Sequence, residues 1–215
     1  MGRLSAALLL SLMASGALAE GAGFAGKVGL LGFGVEYTQP FGAYIGLRIG
    51  ANAFTYDYDG SEGGVDYDLE LDLSSVSALF DWHPRGGSFR FTVGALANGN
   101  GIQAVSQEVP NIQVGDIVFA GDQVGTLTGD VEVDSAAPYL GLGWDWSKGG
   151  SGFGVYLDLG VISQGTPVAT LTASGPLASD PLFQQELAKE QDEFNAAIED
   201  FELFPVVALG FAYRF

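Results

Sequence analysis

Residues 89–98 read Phe, Arg, Phe, Thr, Val, Gly, Ala, Leu, Ala, Asn. Successive side chains of an extended chain point to opposite faces. Phe89, Phe91, Val93, Ala95 and Ala97 therefore share one face, and Arg90, Thr92, Gly94, Leu96 and Asn98 share the other. The same period recurs where Ile45, Leu47, Ile49, Ala51 and Ala53 oppose Tyr44, Gly46, Arg48, Gly50, Asn52 and Phe54. It recurs again where Phe153, Val155, Leu157, Leu159 and Val161 oppose Gly154, Tyr156, Asp158 and Gly160, and where Leu140, Leu142, Trp144 and Trp146 oppose Tyr139, Gly141, Gly143 and Asp145. Strands of soluble sandwiches usually run about five or six residues. Longer alternating runs, with glycine, tyrosine, asparagine and isolated charges on the second face, suit a wall with lipid outside and a polar interior.

The connections fit such a wall. Short turns at 38–42, 83–87 and 147–151 alternate with long polar connections near 57–65, 99–130 and 164–202. Trp82, Trp144 and Trp146 lie beside the short turns, with Tyr37 and Phe41 at the first, where amphipathic rings favour a bilayer interface. The expected fold is all-β, a transmembrane antiparallel up-and-down barrel of about eight strands. We place them near 21–29, 31–39, 43–56, 66–82, 88–99, 128–146, 152–165 and 203–215. Further strands at 102–107, 113–119 and 167–173 would extend the barrel beyond the membrane. One amphipathic helix precedes the last strand: Ser179-Asp180-Pro181 supplies its start, and Phe183, Leu187, Phe194 and Ile198 mark its apolar face. On this topology it lies on the extracellular side, capping the mouth or against the outer wall.

The first 19 residues have one charge (Arg3), an apolar run too short to span a bilayer, and the small-residue ending Ala17-Leu18-Ala19. They read as a signal peptide, 1–19, leaving a barrel domain at 20–215. The chain ends with Val207, Leu209, Phe211, Tyr213 and Phe215 on one face and Phe215 as its last residue. This ending resembles the C-terminal assembly signal of bacterial outer-membrane barrels, with Phe211, Tyr213 and Phe215 as its aromatic positions. Together with the leader, the whole chain resembles small outer-membrane barrels of the OmpA transmembrane-domain, OmpX and OmpW type. The resemblance implies an integral protein of the Gram-negative outer membrane. It also implies contacts with outer-membrane lipid and lipopolysaccharide, and a final strand read by the barrel-assembly machinery. It supplies no functional residues.

Eight Lys+Arg stand against 26 Asp+Glu, a formal charge of −18; losing Arg3 with the leader leaves seven against 26, or −19. Nucleic-acid affinity rests on neutralising phosphates with Lys and Arg, so that partner is excluded. The chain has no cysteine, hence no disulfide framework. No nucleophile-elbow, phosphate-loop or zinc motif occurs, and the single histidine, His83, falls in a short turn. No enzyme activity and no cofactor are expected.

Glu36, Arg48, Asp81, Arg90, Asp145 and Asp158 fall on the non-lipid face of their strands. An eight-strand barrel is just wide enough for side chains to fill it, and buried charges must pair. Asp81 with Arg90, and Glu36 with Arg48, are the expected pairs of a structural polar core. The acidic stretch 56–72 has two parts. Asp57, Asp59 and Glu62 would occupy a loop tip and are the candidate calcium ligands, although the spacing of an EF-hand is missing. From Val65 the odd residues are apolar, and beyond Ser75 the even ones are. A β-bulge at Ser74–Ser75 would account for this and would turn Asp66, Asp68, Glu70 and Asp72 inward. The reading is of a structural or surface-interaction barrel with a filled lumen and acidic extracellular loops. The alternatives are a narrow OmpW-like channel for small or hydrophobic molecules and, behind it, an outer-membrane lipid-modifying enzyme.

Overall fold

The structure is a computed structural model and describes residues 21–62, 65–107 and 109–215, with the side chains of 61–65 outside the description. The signal peptide 1–19 lies outside the described residues.

Eight strands close into an antiparallel ring: β1 (Gly23–Gly29), β2 (Gly32–Phe41), β3 (Ile45–Glu62), β4 (Val65–Trp82), β5 (Phe89–Asn98), β10 (Ala136–Asp145), β11 (Gly152–Ser163) and β13 (Leu203–Arg214), with β13 returning to β1. Each strand follows the alternation of its sequence. Phe33, Val35, Val76, Phe91, Val93, Leu140, Phe153 and Phe211 are exposed on the outside, while Glu36, Arg48, Asp81, Arg90 and Asp158 are buried inside. The reversal expected at 29–32 forms as a two-residue turn, Gly29 opposite Gly32, with Gly32 at φ +84°. A side chain is strained in that region and glycine is not.

The sheet is larger than a plain eight-strand barrel. Among the described residues it holds eleven strands, because β6 (Gly101–Ser106), β9 (Leu127–Glu132) and β12 (Val168–Ala173) join β4 beyond the ring. β4 pairs with β5 from Trp82 to Ser75 and then, in the same register, with β6 from Asp72 to Tyr67. β10 and β9 continue each other likewise against β5 and β6. The strand expected at 128–146 is therefore two segments, broken at 133–135, and the strand at 88–99 continues past a break at Gly99 and Asn100. The result is a wall, β3-β4-β6-β9-β12, standing above the ring at the end opposite the short turns.

A lobe fills one side of this wall. It contains the hairpin β7 (Asn111–Val114) and β8 (Ile117–Ala120), the short helix α1 (Gly121–Val124), a 3-10 turn at Pro176–Ser179, and helix α2 (Pro181–Ile198). Asp180 caps α2 by accepting from Leu182 N at 2.9 Å and Phe183 N at 3.1 Å. Phe183 and Leu187 bury against Ile112, Val114 and Val124, with Tyr67, Leu127 and Leu171 of the wall packed around them.

Three expectations about the acidic stretch are corrected. β3 and β4 pair without a break from Ile45↔Trp82 to Glu62↔Val65, so there is no bulge at Ser74–Ser75 and no loop at 57–62. With the register unbroken, Tyr67, Leu69 and Leu71 share the inner face with Leu73, Ser75 and Ser77, and Asp66, Asp68, Glu70 and Asp72 point outward, not inward. The change of phase belongs to the surroundings: below Ser74 the outer residues are Val76, Ala78 and Phe80, and above it they are acidic.

Small residues let large ones enter the ring. A Cβ on Gly210 would meet the ring of Tyr156, which is 1% exposed. We expect Gly210→Leu to destabilise the ring by about 1–3 kcal/mol through overpacking, read as a lower urea midpoint in detergent.

Candidate functional site

The candidate site is the lumen. Arg48 on β3 and Arg90 on β5 are each 1% exposed and face into it. Arg48 Nη1 donates to Asp158 Oδ2 at 2.6 Å and Glu36 Oε1 at 3.2 Å, and Nη2 donates to Asp81 Oδ1 at 3.1 Å. Its Nε lies 2.7 Å from Asp81 Oδ2, within ion-pair range but off the N–H axis. Arg90 Nη2 donates to Asp158 Oδ1 at 2.7 Å and Nη1 to Asp145 Oδ2 at 3.4 Å. Tyr156 presents its ring to both guanidiniums, 5.9 Å from Arg48 and 5.1 Å from Arg90.

All six charges expected in the lumen are buried there. Glu36 and Arg48 pair as expected. Asp81 sits 3.8 Å from Arg90 but 2.7 Å from Arg48, so its principal partner is different. Arg90 instead reaches Asp158 on β11, because a narrow ring brings separate strands within the span of one arginine. Two cations join that sequence reasoning missed. Lys27 Nζ donates to Glu36 at 3.3 Å, and Arg214 Nη2 donates to Asp145 at 2.5 Å. Their strand parity carried the signal: Val28 lies beside Lys27, Tyr213 beside Arg214, and both neighbours face outward.

The network therefore has four cations (Lys27, Arg48, Arg90, Arg214) and four carboxylates (Glu36, Asp81, Asp145, Asp158), a net charge of zero in a chain of net −18. Hydroxyls complete it: Thr92 donates to Asp81 at 2.7 Å, and Ser147 Oγ donates to Asp145 at 2.5 Å. Above this layer the interior turns apolar, with Leu31, Leu79, Leu96, Tyr139, Ile162 and Val206 in one buried cluster. The space left between the layers is about 20 Å³, room for about one water.

Below the network a wider vestibule of about 550 Å³ opens at the turn end, lined by Asp81, His83, Asp145, Lys148 and Arg214. His83 Nδ1 lies 2.9 Å from Gly87 O and 3.1 Å from Phe89 O, which places its proton on Nδ1. Burial, then the nearby charge of Lys148, holds the His83 pKa below its ordinary value. Burial also lowers that of Lys148.

The expected interface aromatics form a band outside this end. Tyr37 meets Phe24 at 5.1 Å, Trp82 meets Phe91 at 5.8 Å, and Trp144 meets Phe89 at 5.5 Å between ring centroids. Trp146 is exposed. Phe211 points outward, and Tyr213 contacts Phe153 at 4.9 Å and Phe215 at 5.5 Å. Asp57 and Asp59 stand on the open outer face of β3, opposite Glu70 and Asp68, and the Glu62 side chain lies outside the description. Among the described residues no group of three or more His, Cys, Asp or Glu side chains is placed to hold a metal.

No family model matches the chain, and no curated protein matches it. Two solved structures are similar to it. The crystal structure of Acinetobacter baumannii CarO2 is 20% identical, with 91% of this chain and 99% of that chain covered at a TM-score of 0.61. That of Acinetobacter baumannii CarO is 20% identical, with 93% and 100% covered at a TM-score of 0.57. At this identity the likeness is one of fold. It supports the β-barrel architecture and does not single out the OmpA, OmpX or OmpW type.

Asp158 accepts from both central arginines, so Asp158→Ala leaves two buried guanidiniums short of a partner. We expect a loss of about 3–5 kcal/mol in reversible unfolding. His83 supplies a pH test. Its folded pKa is depressed, so its contribution is full above the ordinary histidine value of about 6.5 and is lost as pH falls from there through the folded value. The urea midpoint should drop between pH 7.5 and 5 in the parent chain, and His83→Gln should remove that part of the drop.

Proposed function

We propose that the chain is an integral barrel of the Gram-negative outer membrane, with a closed lumen and a structural or surface-interaction role carried by the wall and lobe at its loop end. The observation that carries the reading is the filled interior: a charge-balanced network, an apolar layer above it, and a residual cavity of about 20 Å³. Such an interior offers no aqueous path, whereas wide barrels leave one.

The membrane part of the proposal rests on the outer surface. From Trp82 up to Val76 the outward side chains of β4 are apolar, and the stretch up to the inversion at Ser74 runs roughly 25 Å along the strand, about 20 Å of height at the usual tilt of about 40°, comparable to the ~25 Å apolar band of outer-membrane barrels. The acidic outer face above it then stands in water, and the aromatic band at the turn end lies at the inner interface. On this reading the short turns are periplasmic and the wall and α2 are extracellular, facing lipopolysaccharide. The outward Phe211, Tyr213 and Phe215 of the last strand are offered to the barrel-assembly machinery. The proposed role is non-enzymatic. Its support is that His83, the single histidine, sits at the turn end with Nδ1 committed to two carbonyls.

Planar-bilayer recording and liposome swelling with the purified full chain test the closed lumen. We expect no steady conductance and no uptake of small solutes. A reproducible open level would overturn the reading in favour of a narrow channel.

A further inference from the structure

The two free edges of the wall are treated differently. β12 forms one edge, and helix α2 covers it: Asn195 Oδ1 accepts from Ala169 N at 2.7 Å, Asn195 Nδ2 donates to Ala169 O at 3.2 Å, and Gln191 Oε1 accepts from Leu171 N at 2.9 Å. These side-chain amides occupy the bonding positions that a further strand would use. The other edge is β3 above Ala53. β2 leaves it at the pair Phe33↔Ala53, and beyond that point residues 54–62 pair with β4 alone among the described residues. Over residues 54–60 the open side is bonded by no second strand among the described residues.

Along about nine residues, roughly 30 Å of strand, every second residue thus presents its backbone N–H and C=O unpaired on the open side. Soluble proteins usually block such an edge with lysine, proline, a bulge or a covering element. Here residues 54–62 contain no lysine and no proline, and the register with β4 is regular. We propose that this edge of β3 is a strand-addition site for an extended segment of a partner protein in which apolar residues alternate with lysine or arginine. The proposal rests on the preceding reading that the wall stands in water outside the cell.

The two faces of the edge specify the occupant. Tyr56 and Tyr58 lie on the inner face, 53% and 55% exposed, beside Leu71 and Leu69. They give an added strand apolar contacts at every second residue. On the outer face Asp57 stands opposite Glu70 and Asp59 opposite Asp68. Like charges directly opposed across a ladder are unfavourable, and cationic side chains at the alternate positions of an added strand relieve them. A second copy of the chain fits poorly, since antiparallel pairing of two β3 edges brings more aspartates together.

The test uses the purified full chain in detergent and a capped synthetic peptide of about nine residues alternating valine with arginine. Saturable binding is expected, with new hydrogen-exchange protection of the amides at 54–62. N-methylating alternate peptide amides along one edge should abolish binding while leaving the charge intact. Asp57→Lys with Asp59→Lys, both at exposed positions, should weaken it by about tenfold or more. Equal binding of the N-methylated peptide would overturn the proposal in favour of plain charge attraction. So would protection of 54–62 in a concentration-dependent dimer without peptide. The chain has no native cysteine, so thiol labelling of Asp66→Cys on intact cells reports the wall's exposure separately. Labelling without peptide binding sinks the strand-addition site alone, and absence of labelling sinks the surface reading beneath it.

Discussion

Eight charged groups meet inside a ring too narrow to hydrate them. Each of the four carboxylates receives at least one cation within 3.4 Å, and Glu36, Asp145 and Asp158 each receive two. Removing charges from water costs several kcal/mol each, so the arrangement persists only because every member is paired and the sum is zero. The partners come from β1, β2, β3, β4, β5, β10, β11 and β13, every strand of the ring. The network therefore ties strands distant in sequence, such as β3 and β11 through Arg48 and Asp158, across the interior as the backbone ladders tie neighbours around it. It also explains how so acidic a chain holds a compact interior: four of its eight cations are spent in the lumen, and most of its acids lie on outer surfaces.

Closing the interior moves any external role to the outside of the barrel. The long wall has the solvent logic of an ordinary protein, acidic outside and apolar inside, whereas the ring below it has the reverse. One continuous strand, β4, carries both. Its inner face changes from Ser77 and Ser75 to Leu71 and Leu69 as its outer face changes from Phe80 and Val76 to Glu70 and Asp68. The level at which the pattern inverts is the proposed boundary between lipid and water.

That inversion is where sequence reasoning went astray. Alternation reports which residues share a face, and it assigns the apolar set to the lipid side only while lipid is present. Above Ser74 the apolar residues lie on the inner face and below it on the outer face of one unbroken strand, which on sequence grounds looked like a bulge. Within the ring the same parity placed Glu36, Arg48, Asp81, Arg90, Asp145 and Asp158 correctly. It holds equally for Lys27 and Arg214, whose outward neighbours Val28 and Tyr213 mark them as inward-facing. The choice of partners was not legible, because it depends on which strands face each other across the lumen. The breaks at 99–100 and 133–135 were hidden as well, since the register on either side of them is continuous.

The central claim is that the lumen charges act as one coupled unit rather than as solvated neighbours. A double-mutant cycle on Arg48→Met and Asp158→Asn, followed by reversible unfolding of the folded barrel in detergent, addresses it directly. The account predicts that the pair together costs less than the two single changes added, by about 1.5 kcal/mol or more, since each single change strands the partner charge left behind. Additivity within about 0.5 kcal/mol would contradict it.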